Sequence, residues 1–440
     1  MNKIKAPMFA AISLALASFG SHAAVLTVNS TADDTIVGDG LVTLREAIIA
    51  AEADSSTDLG QTGSGADTLD LSGIAGAITL GSSLPTISTP ISLIGDASTR
   101  VSIDGNDGST RHRLFVVDGG ALELLSIDLV NGQAVGGAGA SRQQRSGAGG
   151  GGAGLGGSVF LNAGSLRMTD VSVSTSQAIG GAGGVRELPA GGAGGAGGGG
   201  MMLSAVNPVD PHGSAGADGL PLGGLGGAAA TTSSPAGAGG DGAGGGGGGN
   251  GYIGEPMPGG AGGFGGGGGG GGYGQLDGFS PPGGVGGFGG GGGGRGASGN
   301  VTDGPGAAGG MFGGAGSAST GDGNVGGNGG GGGGLGGAIF ARAGTVILDS
   351  VQFDNCVATG GAGGVYPSTP SGDRGLGKGG ALFLADGVTA LANAVSFNEN
   401  SAQDGAGFGY VEGSPADTMD VYGTINLLDT IFVDGFDGPQ

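Results

Sequence analysis

The sequence has no tryptophan, a single cysteine and few charged residues, which make up 11% of its 440 positions. The lone cysteine, Cys356, cannot form an intramolecular disulfide, so stability must come from backbone hydrogen bonds and an apolar core. We expect Cys356 to pack in a turn as a small apolar residue. The absence of tryptophan argues against a sugar-binding cleft, since aromatic rings commonly line such sites.

Basic residues are also scarce, because 14 lysines and arginines stand against 36 acidic residues and the formal charge is −22. A surface this acidic repels nucleic acid and anionic lipid head groups, so neither is a predicted partner. Apolar runs long enough to cross a membrane are missing after residue 23. The chain is therefore not expected to span a membrane.

The first residues have the features of an export signal. Lys3 and Lys5 form a short basic region, Met8–Phe19 is apolar, and Ser21–Ala23 is a small-x-small cleavage site. This order is typical of a secretory signal peptide, and the apolar run is too short to be a spanning helix. The sequence predicts cleavage of residues 1–23 and an extracellular or outer-surface location. Loss of two lysines takes the formal charge from −22 to −24.

Glycine is abundant, with 121 residues, and the sequence repeats itself within that background. Three units align: Gly156–Gly184, Gly336–Gly364 without a gap, and Gly379–Gly405 with one extra residue near Val388. A shorter relative begins at Gly119. Units this short bury their apolar faces by stacking on one another, so we expect a solenoid.

Apolar and polar residues alternate within a unit. Val346 and Leu348, and then Val351 and Phe353, flank a predicted bend at Asp349-Ser350. A period of two places these apolar residues on one face of a strand. The sequence therefore predicts an all-β fold in which parallel strands stack about 4.8 Å apart, which is a parallel β-helix.

The region before the repeats is predicted to add the first strands and one helix. Thr43 and Glu46 form a capping box at the start of Thr43–Ala51, and this helix would cover the open end of the solenoid. The predicted strands are Ala77–Leu80, Ile91–Ile94, Val101–Ile103 and Leu114–Val117.

Residues Val25–Ala51 resemble the N-terminal CSLREA domain of exported bacterial β-helix proteins. The likeness extends over about residues 25–137, through Gly65–Thr68, Leu84–Ile87 and Ser102–Asn106. The family's Cys-Ser is Val42-Thr43 here, so whatever that cysteine does is absent. Gly-Gly-Ala-Ile from Gly336 and Phe-x-x-Asn from Phe397 are similar to the short repeats of polymorphic outer-membrane proteins. The resemblance implies a right-handed, pectate-lyase-like parallel β-helix.

The glycines concentrate in an insertion between two repeats. Its arms leave and rejoin the solenoid at matching positions, and polar tips connect them. Arms that rise about 3.1 Å per residue could pack in polyglycine-II style, and a flexible linker is the alternative. The predicted segments are 24–137 (N-terminal cap and first coils), 138–181 (coil with an arm), 182–335 (glycine-rich insertion), 336–407 (coils) and 408–440 (tail).

No residue set predicts catalysis, a cofactor or a resident metal. Gly372–Gly379 has the glycine spacing of a phosphate loop, but Ser or Thr is missing after Lys378. We expect the calcium candidates and the histidines to lie in solvated turns, the stretch Arg111–Arg113 included, whereas the spacing of the carboxylates across the solenoid cannot be read from the sequence. These residues are the candidate calcium ligands Asp33, Asp34, Asp39 and Gly65–Asp70, the histidines His112 and His212, and the carboxylates Asp349 and Asp354.

The leading hypothesis is a non-enzymatic, exported protein that is adhesin-like or structural. Its predicted partners are a host or environmental surface, a glycan or a matrix protein, contacted through tips such as Ser141–Ser146 and Val185–Ala190. The alternative is a polysaccharide lyase or hydrolase, and a third hypothesis is ice or mineral binding by flat polyglycine faces. Thr430–Gln440 is predicted to be either a final capping strand or a sorting signal, and about 35 residues after the last repeat are too few for a membrane barrel.

Overall fold

The computed structural model consists mainly of parallel β-strands. It describes residues 23–106, 108, 111–141, 145–185, 194–207, 213–231, 234–248, 257–274, 280–298, 304–320, 325–366, 370–405 and 416–428. The predicted signal peptide 1–23, except for Ala23, and the tail segment Thr430–Gln440 lie outside the described residues. Among the described residues, no helix has the length and apolar character needed to cross a membrane.

One helix and twenty-two strands make up the described secondary structure. The helix is α1 (Leu44–Glu52). The first strands are β1 (Val25–Thr27), β2 (Asp67–Asp70), β3 (Gly76–Thr79), β4 (Pro90–Ile94), β5 (Val101–Asp104), β6 (Phe115–Leu125), β7 (Ile127–Val130), β8 (Gln133–Val135), β9 (Gly154–Leu155), β10 (Val159–Ser174) and β11 (Gln177–Ile179). The others are β12 (Gly334–Leu335), β13 (Ile339–Ala341), β14 (Thr345–Asp354), β15 (Val357–Thr359), β16 (Gly377–Lys378), β17 (Leu382–Leu384), β18 (Thr389–Asn393), β19 (Ser396–Asn398), β20 (Ser401–Gln403), β21 (Val421–Tyr422) and β22 (Asn426–Leu427).

The strands form three parallel sheets, which together we call the repeat stack. The largest has fifteen strands along the path β1-β2-β4-β6-β10-β13-β17-β21 with branches; the others are β8-β11-β15-β20 and β9-β12-β16. The repeats pair in register, because Ser165 of β10 lies beside Thr345 of β14, which lies beside Thr389 of β18. Ile339 pairs with Leu382, 43 residues later, whereas Thr345 pairs with Thr389, 44 residues later. The alignment, including the extra residue near Val388, is confirmed.

Alternating apolar residues form the core of the repeat stack. Val346, Leu348, Val351 and Phe353 of β14 are all buried. The bend between the two pairs lies at Ser350, whose φ of +58° turns the chain. Equivalent residues of the other repeats share this left-handed conformation, namely Ser126, Asp170 and Ala394. The predicted period-two pattern and its bend are confirmed.

The predicted helix covers the first strands of the stack. Thr43 accepts a hydrogen bond from the Glu46 amide through its side chain, and the Glu46 carboxylate accepts one from the Thr43 amide at 2.9 Å. Leu44, Ala47 and Ile48 are fully buried. The helix packs beside β1 and β2, so an edge of the sheet is covered where the stack begins. The four strands predicted before the repeats are present as β3, β4, β5 and β6.

Candidate functional site

Glycine arms leave and rejoin the repeat stack at matching positions, as predicted. Gly136, Gly180 and Gly360 directly follow β8, β11 and β15, which pair in register. Returning arms enter at β9, β12 and β16, where Leu335 lies between Leu155 and Lys378. Because departures and returns are stacked, successive arms are held side by side.

Hydrogen bonds within the arms repeat every three residues. In residues 147–154, each amide donates to one of three neighbouring arms, and the same neighbour recurs at every third residue with N···O distances of 2.7–3.1 Å. The bonds run from Gly147 to Gly271, Gly150 to Gly268 and Ala153 to Gly265; from Ala148 to Gly327, Gly151 to Gly330 and Gly154 to Gly333; and from Gly149 to Ala140 and Gly152 to Gly137. The backbone therefore turns once in three residues and bonds to chains on three sides.

The arms form four rows, which together we call the glycine array. Arms within a row are parallel, and arms in adjacent rows are antiparallel. The first row comprises 136–141, 180–185, 203–207 and 360–366; the second 145–154, 194–201, 213–219, 325–334 and 370–377; the third 224–231, 242–248, 265–274, 289–298 and 313–320; the fourth 234–241, 257–264, 280–288 and 304–312. The described part of the insertion is thus an ordered, hydrogen-bonded structure, which agrees with the packed alternative and not with a flexible linker.

Many interior positions of the array have space only for glycine, although fully buried alanines such as Ala148 and Ala196 also occur there. A Cβ added to Gly150 would overlap the carbonyl of Gly291, and one added to Gly291 would overlap the carbonyl of Gly330. Neighbouring backbones are in direct contact at these positions, so a side chain has no space. The high glycine content is explained by this packing of backbone against backbone.

The array is attached to the repeat stack by aromatic side chains. Phe264, Phe288 and Phe312, at intervals of 24 residues, lie where arms of the fourth row turn back into the third. Phe264 and Phe288 lie 6.2 and 6.0 Å, respectively, from Phe340 of β13, and Phe312 lies 5.3 Å from Phe383 of β17 between ring centroids. These arms of the insertion turn back against the stack and do not rejoin it, so the prediction that the arms rejoin the solenoid was wrong for them. Sequence reasoning missed the phenylalanine cluster, although its regular spacing was visible.

The described arm ends that flank the connections between arms lie along the opposite edge of the array. Each outgoing arm ends there and each returning arm begins there, and the nine connecting stretches lie outside the described residues: 142–144, 186–193, 208–212, 232–233, 249–256, 275–279, 299–303, 321–324 and 367–369. Flanking residues bond to one another along this edge. Arg145 donates to the Tyr273 hydroxyl at 2.7 Å, and the Ser141 amide donates to Asn207.

The outer face of the fourth row is largely apolar. Every third residue of its four arms points away from the array and is exposed or half-buried. These residues form two lines across the arms, Pro235, Pro258, Pro282 and Pro305 in one and Ala238, Ala261, Val285 and Ala308 in the other. None of the eight is charged, although the whole chain is strongly acidic.

The stretch Arg111–Arg113 is not the solvated corner that was expected. Arg113 is 1% exposed and donates from Nε to the Gly156 carbonyl at 2.9 Å and from Nη2 to the Leu155 carbonyl at 2.7 Å. Burial lowers the pKa of Arg113 to about 10, and burial also lowers the pKa of the half-buried His112. The prediction was wrong for Arg113 because its guanidinium satisfies carbonyls where an arm returns to the stack.

The candidate calcium ligands serve local structure. Asp33 pairs with Arg45 at 2.8 Å, Asp39 accepts from the Leu41 amide, and the buried Asp67 accepts from the amides of Ala24 and Ser64. Within the described ranges, no group of three His, Cys, Asp or Glu residues is placed to hold a metal ion. His212 lies outside those ranges.

The other candidates also occupy structural positions. Asp349 accepts from Asn393 at 2.9 Å, and Asp354 lies in register with Asn398. Cys356 is fully buried, and burial raises the pKa of its thiol to about 12. Lys378, the lysine of the rejected phosphate loop, is buried in β16. The expected packing of Cys356 as a small apolar residue is confirmed.

No protein-family model, no curated protein and no solved structure matches this chain.

Proposed function

We propose that this chain is an exported, right-handed parallel β-helix protein of the CSLREA type that acts without catalysis, as an adhesin-like or structural element on or outside the bacterial surface. The observation that carries the proposal is that the described arm ends on either side of nine connecting stretches lie along one edge of the glycine array. Binding residues are commonly found in variable segments that a rigid scaffold positions.

The rigidity of the scaffold follows from the arms. We interpret them as polyglycine-II helices, because the hydrogen bonds have a period of three and each arm bonds to several neighbours. Ordering glycine costs about 0.5–1 kcal/mol more per residue than ordering alanine. More than half of the residues in the arms are glycine, so ordering the arms is costly, and the ordered arms form a stiff support for the tips.

Replacing the tips tests the proposal directly. In the test variant, residues 142–144 and 186–190 of the tips Ser141–Ser146 and Val185–Ala190 become Gly-Ser sequence. The control replaces the exposed turn Ala97–Thr99 of the repeat stack in the same way. Binding of the purified protein to matrix proteins, cells and glycan arrays should fall about tenfold or more in the test variant alone.

Unchanged binding in the tip variant would contradict the adhesive role. The same preparations should also be assayed for thermal hysteresis, which ice binding by flat polyglycine faces requires. A positive result there, with no surface binding, would replace the proposed function by the third hypothesis.

Cell fractionation tests the proposed location and the role of the tail. The full-length chain should be found at the cell surface or in the medium. Deleting Thr430–Gln440 should lower the midpoint of thermal unfolding if the tail caps the stack, and should only redistribute the protein if it is a sorting signal. Full-length protein confined to the periplasm would overturn the surface assignment.

A polysaccharide lyase or hydrolase is the second candidate. The observation in its favour is Arg100, which lies between Asp128 at 2.8 Å and Asp170 at 3.0 Å on one face of the stack. The same guanidinium also donates to the carbonyls of Ile127 and Asp170, which is a structural use. A screen of acidic polysaccharides should yield no unsaturated products or new reducing ends, and activity abolished by Asp170→Asn would establish the enzyme instead.

A further inference from the structure

Lys378 occupies a position that is apolar in the other repeats. The register of β9, β12 and β16 aligns it with Leu335 and, through that residue, with Leu155. Both leucines are fully buried, and Lys378 is itself only 7% exposed. The sequence has two other lysines, Lys3 and Lys5, both within the predicted signal peptide. A charged amine thus replaces leucine at the end of the stack.

The amine lies against a buried carboxyl group. Lys378 Nζ is 2.8 Å from Asp417 Oδ2, and the two side chains are 8% and 7% exposed. Asp417 forms a backbone bridge with Tyr422, whose ring stacks on Phe383 at 4.5 Å and meets Phe312 edge-on at 5.2 Å. Burial, followed by the negative charges of Asp417 and Asp386, raises the pKa of the Tyr422 phenol. The buried pair therefore lies beside a cluster of aromatic side chains.

A buried contact of this kind favours condensation. Removing an ammonium and a carboxylate from water is costly, and a proton transferred within the pair produces a neutral amine and a neutral carboxyl group. The neutral amine is a nucleophile, and its electrophile, the carboxyl carbon of Asp417, is already beside it. Folding has therefore already met the entropic cost of bringing the two groups together.

We propose that Lys378 and Asp417 condense to an intramolecular isopeptide bond. The lone pair of Nζ attacks Cγ of Asp417, the new C–N bond forms, and the C–O bond to the carboxyl hydroxyl breaks. That hydroxyl leaves with a proton from the amine as one water molecule. The ammonium and carboxylate together therefore become one amide and one water, with no oxidant, reductant or cofactor required.

The bond would fasten the last described strands to the repeat stack. Asp417 precedes β21 and β22, which pair with β17 and β18 at the end of the stack. A crosslink across the intervening chain restricts the unfolded ensemble in the same way as a disulfide, which a chain with one cysteine cannot form within itself.

Digestion with a lysine-specific endoprotease tests the proposal, because such an enzyme does not cleave after an acylated lysine. The full-length protein is purified and its intact mass is measured. The protein is then denatured and digested. The wild-type chain should remain uncut after Lys378, and its mass should be lower than the sequence mass by one water molecule. Peptide mapping with a second protease that does not depend on lysine should yield one branched peptide that contains both residues.

Three variants are the controls. Lys378→Arg keeps the positive charge and should restore the full mass, and Asp417→Ala should be cut after Lys378. Asp417→Asn should still form the crosslink, with loss of ammonia in place of water. Wild-type protein of full mass that is cut after Lys378 would overturn the proposal and leave an ion pair. This outcome can be read from the wild-type protein even if every variant fails to fold.

Discussion

The repeat stack and the glycine array are both built from chains packed side by side, but they exclude water in opposite ways. In the stack, alternating side chains such as Leu348 and Phe353 fill the interior. In the array, many interior positions lack a side chain and neighbouring backbones are in direct contact there. The stack is therefore held by apolar burial, whereas the array is held by a dense set of backbone hydrogen bonds.

The difference predicts opposite responses to substitution. A smaller side chain leaves a cavity in the stack, and any side chain at all displaces a backbone in the array. The two regions depend on each other at an aromatic seam, formed by Phe340 and Phe383 of the repeat stack and the phenylalanines in the turns of the array. The rings of Phe340 and Phe383 are stacked at a centroid distance of 5.0 Å, and both contact those turns.

Phe340→Ala should have the greatest effect, because it empties a fully buried site in that seam. We expect the free energy of unfolding to fall by about 4 kcal/mol. Phe353→Ala is the matched control, since Phe353 is equally buried inside the stack and stacks on Phe397 at 5.4 Å. Both variants should lose stability in urea denaturation, but only Phe340→Ala should lower hydrogen-exchange protection of the array amides. Identical exchange patterns would show that the seam does not hold the array.

Gly291→Ala should destabilise the array by about 3 kcal/mol, because the methyl group would lie within 2.6 Å of the Gly330 carbonyl carbon. The control is Gly73→Ala, where no heavy atom lies within 4 Å of the added Cβ. That variant should keep its stability or gain up to about 1 kcal/mol, since alanine restricts the unfolded chain. Thermal and urea unfolding of both proteins measure the difference. Equal stabilities would refute tight backbone packing in the array.

Cys356 should make the stack sensitive to alkaline pH. Burial raises the pKa of its folded-state thiol from 9.0 to about 12. The folded pKa is the higher one, so this contribution to stability is fully present below pH 9 and is lost as the pH rises towards 12. By pH 11 the free energy of unfolding should have fallen by roughly 2–3 kcal/mol relative to its value at pH 8. Cys356→Ala, measured in parallel by urea denaturation, should lack this part of the decline, and parallel curves would contradict the assignment.

Ala238→Leu should have the smallest effect, within about 0.5 kcal/mol of the wild type. Ala238 is exposed on the outer face of the array, whereas a Cβ on the adjacent Gly239 would overlap the carbonyl of Ala243. Gly239→Ala is the paired variant and should be clearly destabilised in the same unfolding assay. If both residues tolerate the larger side chain, the three-residue period does not govern this arm.

Local patterns in the sequence were sufficient to predict much of the fold. The period-two alternation of Val346 and Leu348 predicts a strand with one buried face, and Thr43 with Glu46 predicts a helix start, because each signal depends only on near neighbours in the chain. The internal repeats also predicted the register of stacked units, including the extra residue near Val388. These features are carried by residue order, so no knowledge of distant contacts was needed.

The arrangement of the array and the roles of single charged residues depended on contacts between distant segments. Polyglycine sequence is compatible with a flexible linker or with packed arms, and the choice depends on which carbonyls lie beside Gly150 and Gly291 in space. Arg113 has the sequence context of a solvated turn, yet it is buried and its guanidinium donates to carbonyls more than forty residues away. Lys378 likewise meets Asp417 only because the last strands return to the stack. The physical reason is common to all of these: hydrogen-bond partners and burial are properties of neighbours in space, which the order of residues specifies only once the chain has folded.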